Sequence, residues 1–160
     1  MNNYAGVTGQ RAAELRAQEN QKKQRRSQLR SQINGLENEL NTYNTQISSL
    51  ESKLEQQRAM KALFEGRCTD LDTEKAAKSV CMQKLEPYKA NLKFDLGYTE
   101  VMNDLLHGST AQSFGGYSQE TSQFMQMEIN ENQTKLEELL AAKDSKTTAI
   151  AGLQSELARI

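Results

Sequence analysis

Eight apolar residues constrain this chain more than any other feature: Leu29, Ile33, Leu36, Leu40, Tyr43, Ile47, Leu50 and Leu54. They recur at alternating steps of four and three, which keeps one stripe of an α-helix facing a partner over more than three heptads. A strand would alternate every second residue instead. The seam predicts a long coiled-coil helix over about residues 9–66. Gly35 lies off the stripe and costs about 1 kcal/mol of helix propensity, yet the seam continues across it. After Leu54 the register slips. Lys61 stands where an apolar residue is due, and Met60, Leu63 and Phe64 form a new cluster.

Composition points the same way. The 160 residues are 36% hydrophobic and 6% aromatic, with no tryptophan and one proline. That is little apolar material for a compact globule of this size, but apolar positions gathered on one seam still hold long helices together. The expected fold is all-α: one elongated domain over residues 1–160, an antiparallel helical hairpin with an additional long N-terminal helix, three helices in all.

Punctuation places the breaks. Gly66 offers a C-cap and Thr69 or Asp72 an N-cap, so a turn is expected between residues 66 and 73. A second helix over about 70–104 would carry Val80, Leu85, Tyr88, Leu92, Val101 and Leu105. Pro87 kinks or divides it, because proline lacks the backbone donor and clashes with the preceding turn. The stretch "LLHGSTAQSFGGY" holds three of the nine glycines and the only histidine, and reads as an interhelix turn over 106–116. A third helix follows, over about 117–159, outlined by Phe124, Met127, Leu136, Leu140, Thr147, Ile150, Leu153, Leu157 and Ile160.

Charge is unevenly spread. Residues 1–30 hold Arg11, Arg16, Lys22, Lys23, Arg25, Arg26 and Arg30 against Glu14 and Glu19, a net +5, which leaves −6 for the remainder. Such a run suits a nucleic-acid backbone, an acidic membrane surface or an acidic partner; it has no interleaved aromatics to stack on bases, and a nucleic-acid partner is not the expectation. A solvated helix face is the plain alternative.

Several functions are disfavoured. No apolar run approaches the ~18 residues of a membrane span. The start "MNNYAGVTGQ" lacks a charged segment followed by an apolar core. A cytoplasmic protein is expected, or one exported without a cleavable leader. Cys68 and Cys81 would stand about 20 Å apart on one straight helix, beyond disulfide reach, and no further ligand makes them a metal site. His107 has no obvious serine or cysteine partner in the sequence, and the glycines lack the lysine of a phosphate-binding loop. The expectation is a non-enzymatic protein without cofactor, metal or small-molecule substrate.

From Leu106 the turn reads Leu106, His107, Gly108, then Ala111, then Phe114. This resembles the W-x-G signature of small helical-hairpin proteins exported by type VII secretion systems. Leu106 stands for the usual tryptophan, Gly108 for the glycine, and Ala111 and Phe114 for the residues that commonly follow. A tyrosine followed four positions later by an acidic residue, the export signal of some members, is absent. The length, heptad-rich start and late motif look most like the accessory helical proteins of firmicute systems that accompany LXG toxins. The resemblance implies a turn at Gly108 between two long antiparallel helices. It also implies a targeting or chaperone-like role: binding the helical N-terminal domain of a secreted toxin, alone or with a second small helical protein. The partner-binding surface is expected along Leu29, Ile33, Leu36, Leu40, Tyr43, Ile47, Leu50 and Leu54, where the later, more interrupted helices offer a poor match. The alternatives are a homo-oligomeric coiled-coil scaffold, a homodimer at its simplest, and an export chaperone or stalk protein of another secretion or flagellar system.

Overall fold

The computed structural model describes residues 4–85, 87 and 93–160. These form three helices: α1 (Tyr4–Leu85), α2 (Lys93–His107) and α3 (Ser109–Arg159). No strand occurs among the described residues. The fold is all-α and is a helical hairpin, as expected, but its arms are differently assigned. One arm is α1 alone; the other is α2 followed by α3.

The turn expected at 66–73 does not exist, because α1 runs through it. The residues that looked like caps bond back into the helix instead. Thr69 donates its hydroxyl to the Glu65 carbonyl at 2.9 Å, and Thr73 donates to the Thr69 carbonyl at 2.9 Å. Such i−4 back-bonding occupies the hydroxyl that would otherwise cap a new helix. Gly66 lies exposed within α1. The helix ends at Leu85, two residues before Pro87, which disfavours helix both at itself and at the residue before it. Tyr88 and Leu92, assigned from sequence to the second helix, lie outside the described residues.

The glycine-bearing turn over 106–116 is also corrected. Only Gly108 interrupts the helix, and α3 begins at Ser109, so Gly115 and Gly116 are helical. Helical hydrogen bonding crosses the interruption: the Gly108 amide donates to the Asp104 carbonyl at 2.7 Å, and the Gln112 amide donates to the Gly108 carbonyl at 3.1 Å. No described glycine has a positive φ. Gly108 is therefore a bend within the second arm, not the point where the hairpin reverses.

The chain divides into two compact units, Met1–Leu50 with Lys135–Ile160, and Glu51–Thr134. In the first unit α1 and α3 run antiparallel. Arg25 meets Glu156 at 2.6 Å and Glu39 meets Lys146 at 2.7 Å, so one partner advances as the other retreats. Leu29, Ile33 and Ile47 are buried, and Leu36, Leu40, Tyr43 and Leu50 half-buried. From α3, Leu136, Leu139, Ile150, Leu153 and Leu157 are half-buried on a matching three-and-four spacing.

In the second unit the order is again antiparallel: Gln57 meets Asn132, Glu65 meets Ser122, and Ser79 meets His107. α2, which begins at Lys93, runs opposite to the end of α1: His107 lies by Ser79, and Asn103 shares a cavity with Met82 and Gln83. The buried residues here are Leu54, Met82, Leu106, Ile129 and Asn132.

Candidate partner-binding surface

The seam proposed from sequence as the partner-binding surface is the molecule's own core. Leu29 has no exposure, and Ile33, Ile47 and Leu54 are buried. The expectation rested on α3 being too polar to answer the seam. It fails because Phe124, Met127, Leu140 and Thr147 do not face it. The half-buried and buried positions of α3 run instead through Met125, Ile129, Asn132, Leu136, Leu139, Lys143, Lys146 and Ile150, a continuous heptad stripe one or two residues away. Lys146 serves in this stripe because its ammonium reaches Glu39, which raises its pKa above the usual lysine value.

The second unit distributes its residues differently. Its seam includes Gln57, Lys61 and Ser79 on α1 and Ser118, Ser122 and Asn132 on α3, all buried or half-buried. Asn132 donates its side-chain amide to Gln57 Oε1 at 2.9 Å, which satisfies a buried polar group within the seam. Large apolar side chains stand outside it: Met60, Leu63, Tyr117, Phe124 and Met127 are all at least 60% exposed.

Arg58 donates to Gln133 at 3.1 Å and Ser122 donates to Glu65 at 2.6 Å. Arg58 and Glu65 follow the seam positions Gln57 and Phe64 by one residue, so these ties occupy one flank of the helix pair. Met60 and Leu63 precede seam positions Lys61 and Phe64 by one residue and lie on the other flank. On α3, Tyr117 and Phe124 precede Ser118 and Met125 in the same way, whereas Met127, two residues from both Met125 and Ile129, points away from α1. The Gln57–Asn132 and Glu65–Ser122 ties bracket Met60 and Leu63 on one helix and Phe124 and Met127 on the other. The flank opposite the Arg58 and Glu65 ties thus carries Met60, Leu63, Tyr117 and Phe124, interrupted by Glu128, which precedes Ile129 by one and accepts from Gln57 Nε2 at 3.4 Å. The Glu65 carboxyl on the polar side is pulled below its usual pKa by its hydrogen bond with Lys61 and then by that from Ser122.

The motif residues come together near the bend. Leu106, Ala111 and Phe114 line a cavity of about 290 Å³ with Leu71, Leu105 and Thr110, rimmed by Glu74, Lys75 and Lys78. Leu106 is buried, while Leu105 and Phe114 are exposed. Glycine is required at 108 by space: an added Cβ would overlap the Asp104 carbonyl oxygen and carboxylate.

His107 does have a serine partner that the sequence did not reveal. Its Nε2 lies 3.2 Å from Ser79 Oγ, 28 residues away and opposite only because the arms are antiparallel. Both line a cavity of about 230 Å³ with Met82, Gln83 and Asn103. A serine nucleophile also needs its histidine oriented by a third group, and no described carboxylate bonds the other ring nitrogen. The pair ties α1 to the end of α2. Cys68 and Cys81 are free, no cluster of metal-ligating side chains occurs among the described residues, and no described helix is long and apolar enough to cross a membrane. No protein-family model, curated protein or solved structure matches the chain.

Proposed function

We propose that this chain is a non-enzymatic helical binding module, a targeting or chaperone-like partner for the helical N-terminal domain of a type VII secreted LXG toxin. One observation carries the binding role: four large apolar side chains, Met60, Leu63, Tyr117 and Phe124, stand exposed on one side of the second unit while polar residues fill part of its seam. A contiguous exposed apolar face is the usual mark of an interaction surface, and a helix-in-groove contact is the mode such a face fits. The secretion class is proposed from the pattern Leu106, Gly108, Ala111, Phe114. The role of that pattern here is to bend the second arm and floor an apolar cavity, not to turn the hairpin. Docking is assigned to Met60, Leu63, Tyr117 and Phe124, in place of the buried seam. The protein acts in the cytoplasm or leaves with its cargo.

The test is co-purification with the N-terminal region of the toxin encoded beside its gene, using the wild type and the double variant Leu63→Asp with Phe124→Asp. Capture should fall at least tenfold in the variant while helix content and melting stay unchanged. Unchanged capture would remove this flank as the docking site. A dimer of the protein alone that the same variant dissociates would assign the flank to a second copy, the coiled-coil scaffold reading.

A further inference from the structure

The register of the Leu29–Leu54 seam can be carried back toward the start of α1. In heptad terms Leu29 and Leu36 are d positions and Ile33 and Leu40 are a positions. Counting backward places Arg26 and Ala12 at a, Lys22 and Leu15 at d, Arg16, Lys23 and Arg30 at e, and Arg11 and Arg25 at g. All seven basic residues of the segment thus lie on the a, d, e and g positions, the face that meets a partner helix. The opposite face carries none: it holds Ala13, Glu14, Ala17, Asn20, Gln21, Gln24, Ser27 and Gln28. A solvated charge run has no reason to avoid that face, since it is the most accessible to water.

The structure leaves this face exposed, with the last turn of α3 lying beside its Lys22–Arg26 end, where Arg25 meets Glu156, and no described helix alongside the part before it. Every side chain from Arg11 to Gln28 is exposed, with Leu15 at 58%. Only Arg25 has a described ion-pair partner, Glu156. The segment from Arg11 to Arg30 is about 30 Å of helix, close to three heptads.

We propose that this segment docks an acidic helix of a partner protein along the prolonged seam, an inference that rests on the binding-module reading and names the partner's charge. A helix with carboxylates opposite Lys22, Lys23 and Arg26 and an apolar residue opposite Leu15 and Ala12 continues the packing that begins at Leu29. Charge selects this occupant. A second copy of the same segment would set like charges against each other. Glu19, at an a position, stands in the middle of the row and opposes a phosphate backbone, whereas a partner helix meets it with one basic residue.

The probe is a 21-residue helical peptide with leucines matched to Leu15 and Ala12 and glutamates at the flanking interfacial positions, titrated against the full-length protein. A scrambled peptide of identical composition and a DNA duplex of equal charge are the comparators. One variant carries Lys22→Gln with Arg26→Gln. A second adds Gln21→Lys with Gln28→Lys, which restores net charge on the outer face. All four positions are exposed, so melting should match the wild type. The expected result is salt-sensitive binding of the ordered peptide, at least tenfold weaker in the first variant and not restored in the second. Equal binding of the scrambled peptide or the duplex, or full restoration by the outer lysines, overturns the proposal. So does failure of the peptide to bind a wild type that still captures the toxin region, and in that case the binding-module reading stands. Peptide binding retained in Leu63→Asp with Phe124→Asp, alongside loss of toxin capture, supports both.

Discussion

The two units are built from the same antiparallel pairing of helices, yet they place their apolar residues oppositely. In the first, the apolar residues of α1 are the seam, from a fully buried Leu29 to a buried Ile47. In the second, the seam includes a Gln57–Asn132 hydrogen bond and a half-buried Lys61, while Met60, Leu63, Phe124 and Met127 stand in water. Burial of apolar surface is the main favourable term in folding, so the first unit spends its apolar residues on stability. The second leaves part of its own outside, where they can be buried only by something else. The lesson is that a regular heptad row marks the internal joint of this chain, and that the apolar residues left in water are those that leave the row.

The largest test of that contrast is a pair of charge insertions. Ile33→Asp with Ile47→Asp puts two carboxylates into a buried seam, each costing several kcal/mol, and should unfold the first unit or lower its melting by tens of degrees. Leu63→Asp with Phe124→Asp should change stability by no more than about 0.5 kcal/mol, as exposed substitutions usually do. Equal loss from both pairs, followed by circular dichroism, would abolish the distinction between seam and surface.

Next in size is the glycine contrast within the second arm. Gly108→Ala must displace the Asp104 carbonyl that lies against the added Cβ, an overpacking change that costs roughly 1–3 kcal/mol. Gly115→Ala and Gly116→Ala meet nothing within 4 Å and lie in helix, so each should stabilise by about 0.5–1 kcal/mol. Urea denaturation separates the two signs. A Gly108→Ala protein as stable as the wild type would show that the bend has room to relax.

Much of the fold was legible in the sequence because heptad spacing is a local property. The α1 stripe from Leu29 to Leu54 lies where the periodicity put it, and the all-α hairpin follows. The arms were misassigned because capping residues are only permissive. Thr69 and Thr73 can start a helix, but they can equally bond back to the preceding turn, and nothing local decides between these. Gly108 was misread similarly, since glycine serves a reversal and a bend equally well. On α3, Leu136, Ile150, Leu153, Leu157 and Ile160 are half-buried as the spacing put them, but the rest of the face was missed by one or two positions, as Phe124 and Met127 look like better core residues than Met125 and Asn132. Only the pairing with α1 at Gln57 shows that the polar residue is the buried one. The Ser79–His107 contact joins distant residues, and no local signal could have found it.

The polar seam of the second unit makes a further prediction. A buried polar pair fixes helix register at some cost in stability. Gln57→Leu with Asn132→Leu should raise the melting temperature while loosening the pairing. Spin labels at Gln56 and Thr134, in a background with Cys68 and Cys81 changed to serine, would report this as a broadened distance distribution. A gain in stability with an equally narrow distribution would show that the surrounding ties already hold the register.

The smallest effect separates the units by pH. In the second unit, Glu65 accepts from Lys61 at 2.6 Å and from Ser122 at 2.6 Å, and these bonds lower its pKa. A carboxyl depressed in the folded state contributes its stability above the ordinary carboxylate value, about 4.3. That contribution is lost as pH falls through the lower folded value. In the first unit, the hydrogen bond between Lys146 and Glu39 raises the lysine's pKa. A raised lysine contributes below its ordinary value, about 10.4, and loses the contribution as pH rises through the higher folded value. The two ties therefore fail at opposite ends of the scale. Glu65→Gln should melt below the wild type near neutrality and converge with it as pH falls through the depressed folded value. Lys146→Met should lose its pH-dependent difference only at the alkaline end. Glu65 is exposed and Lys146 only half-buried, so solvent screening keeps the shifts small, and differential melts of variant against wild type are the measurement that resolves them. If Glu65→Gln kept a constant offset across the acid range, the Lys61–Glu65–Ser122 bonds would contribute nothing that depends on charge, and the polar flank of the second unit would hold by shape alone.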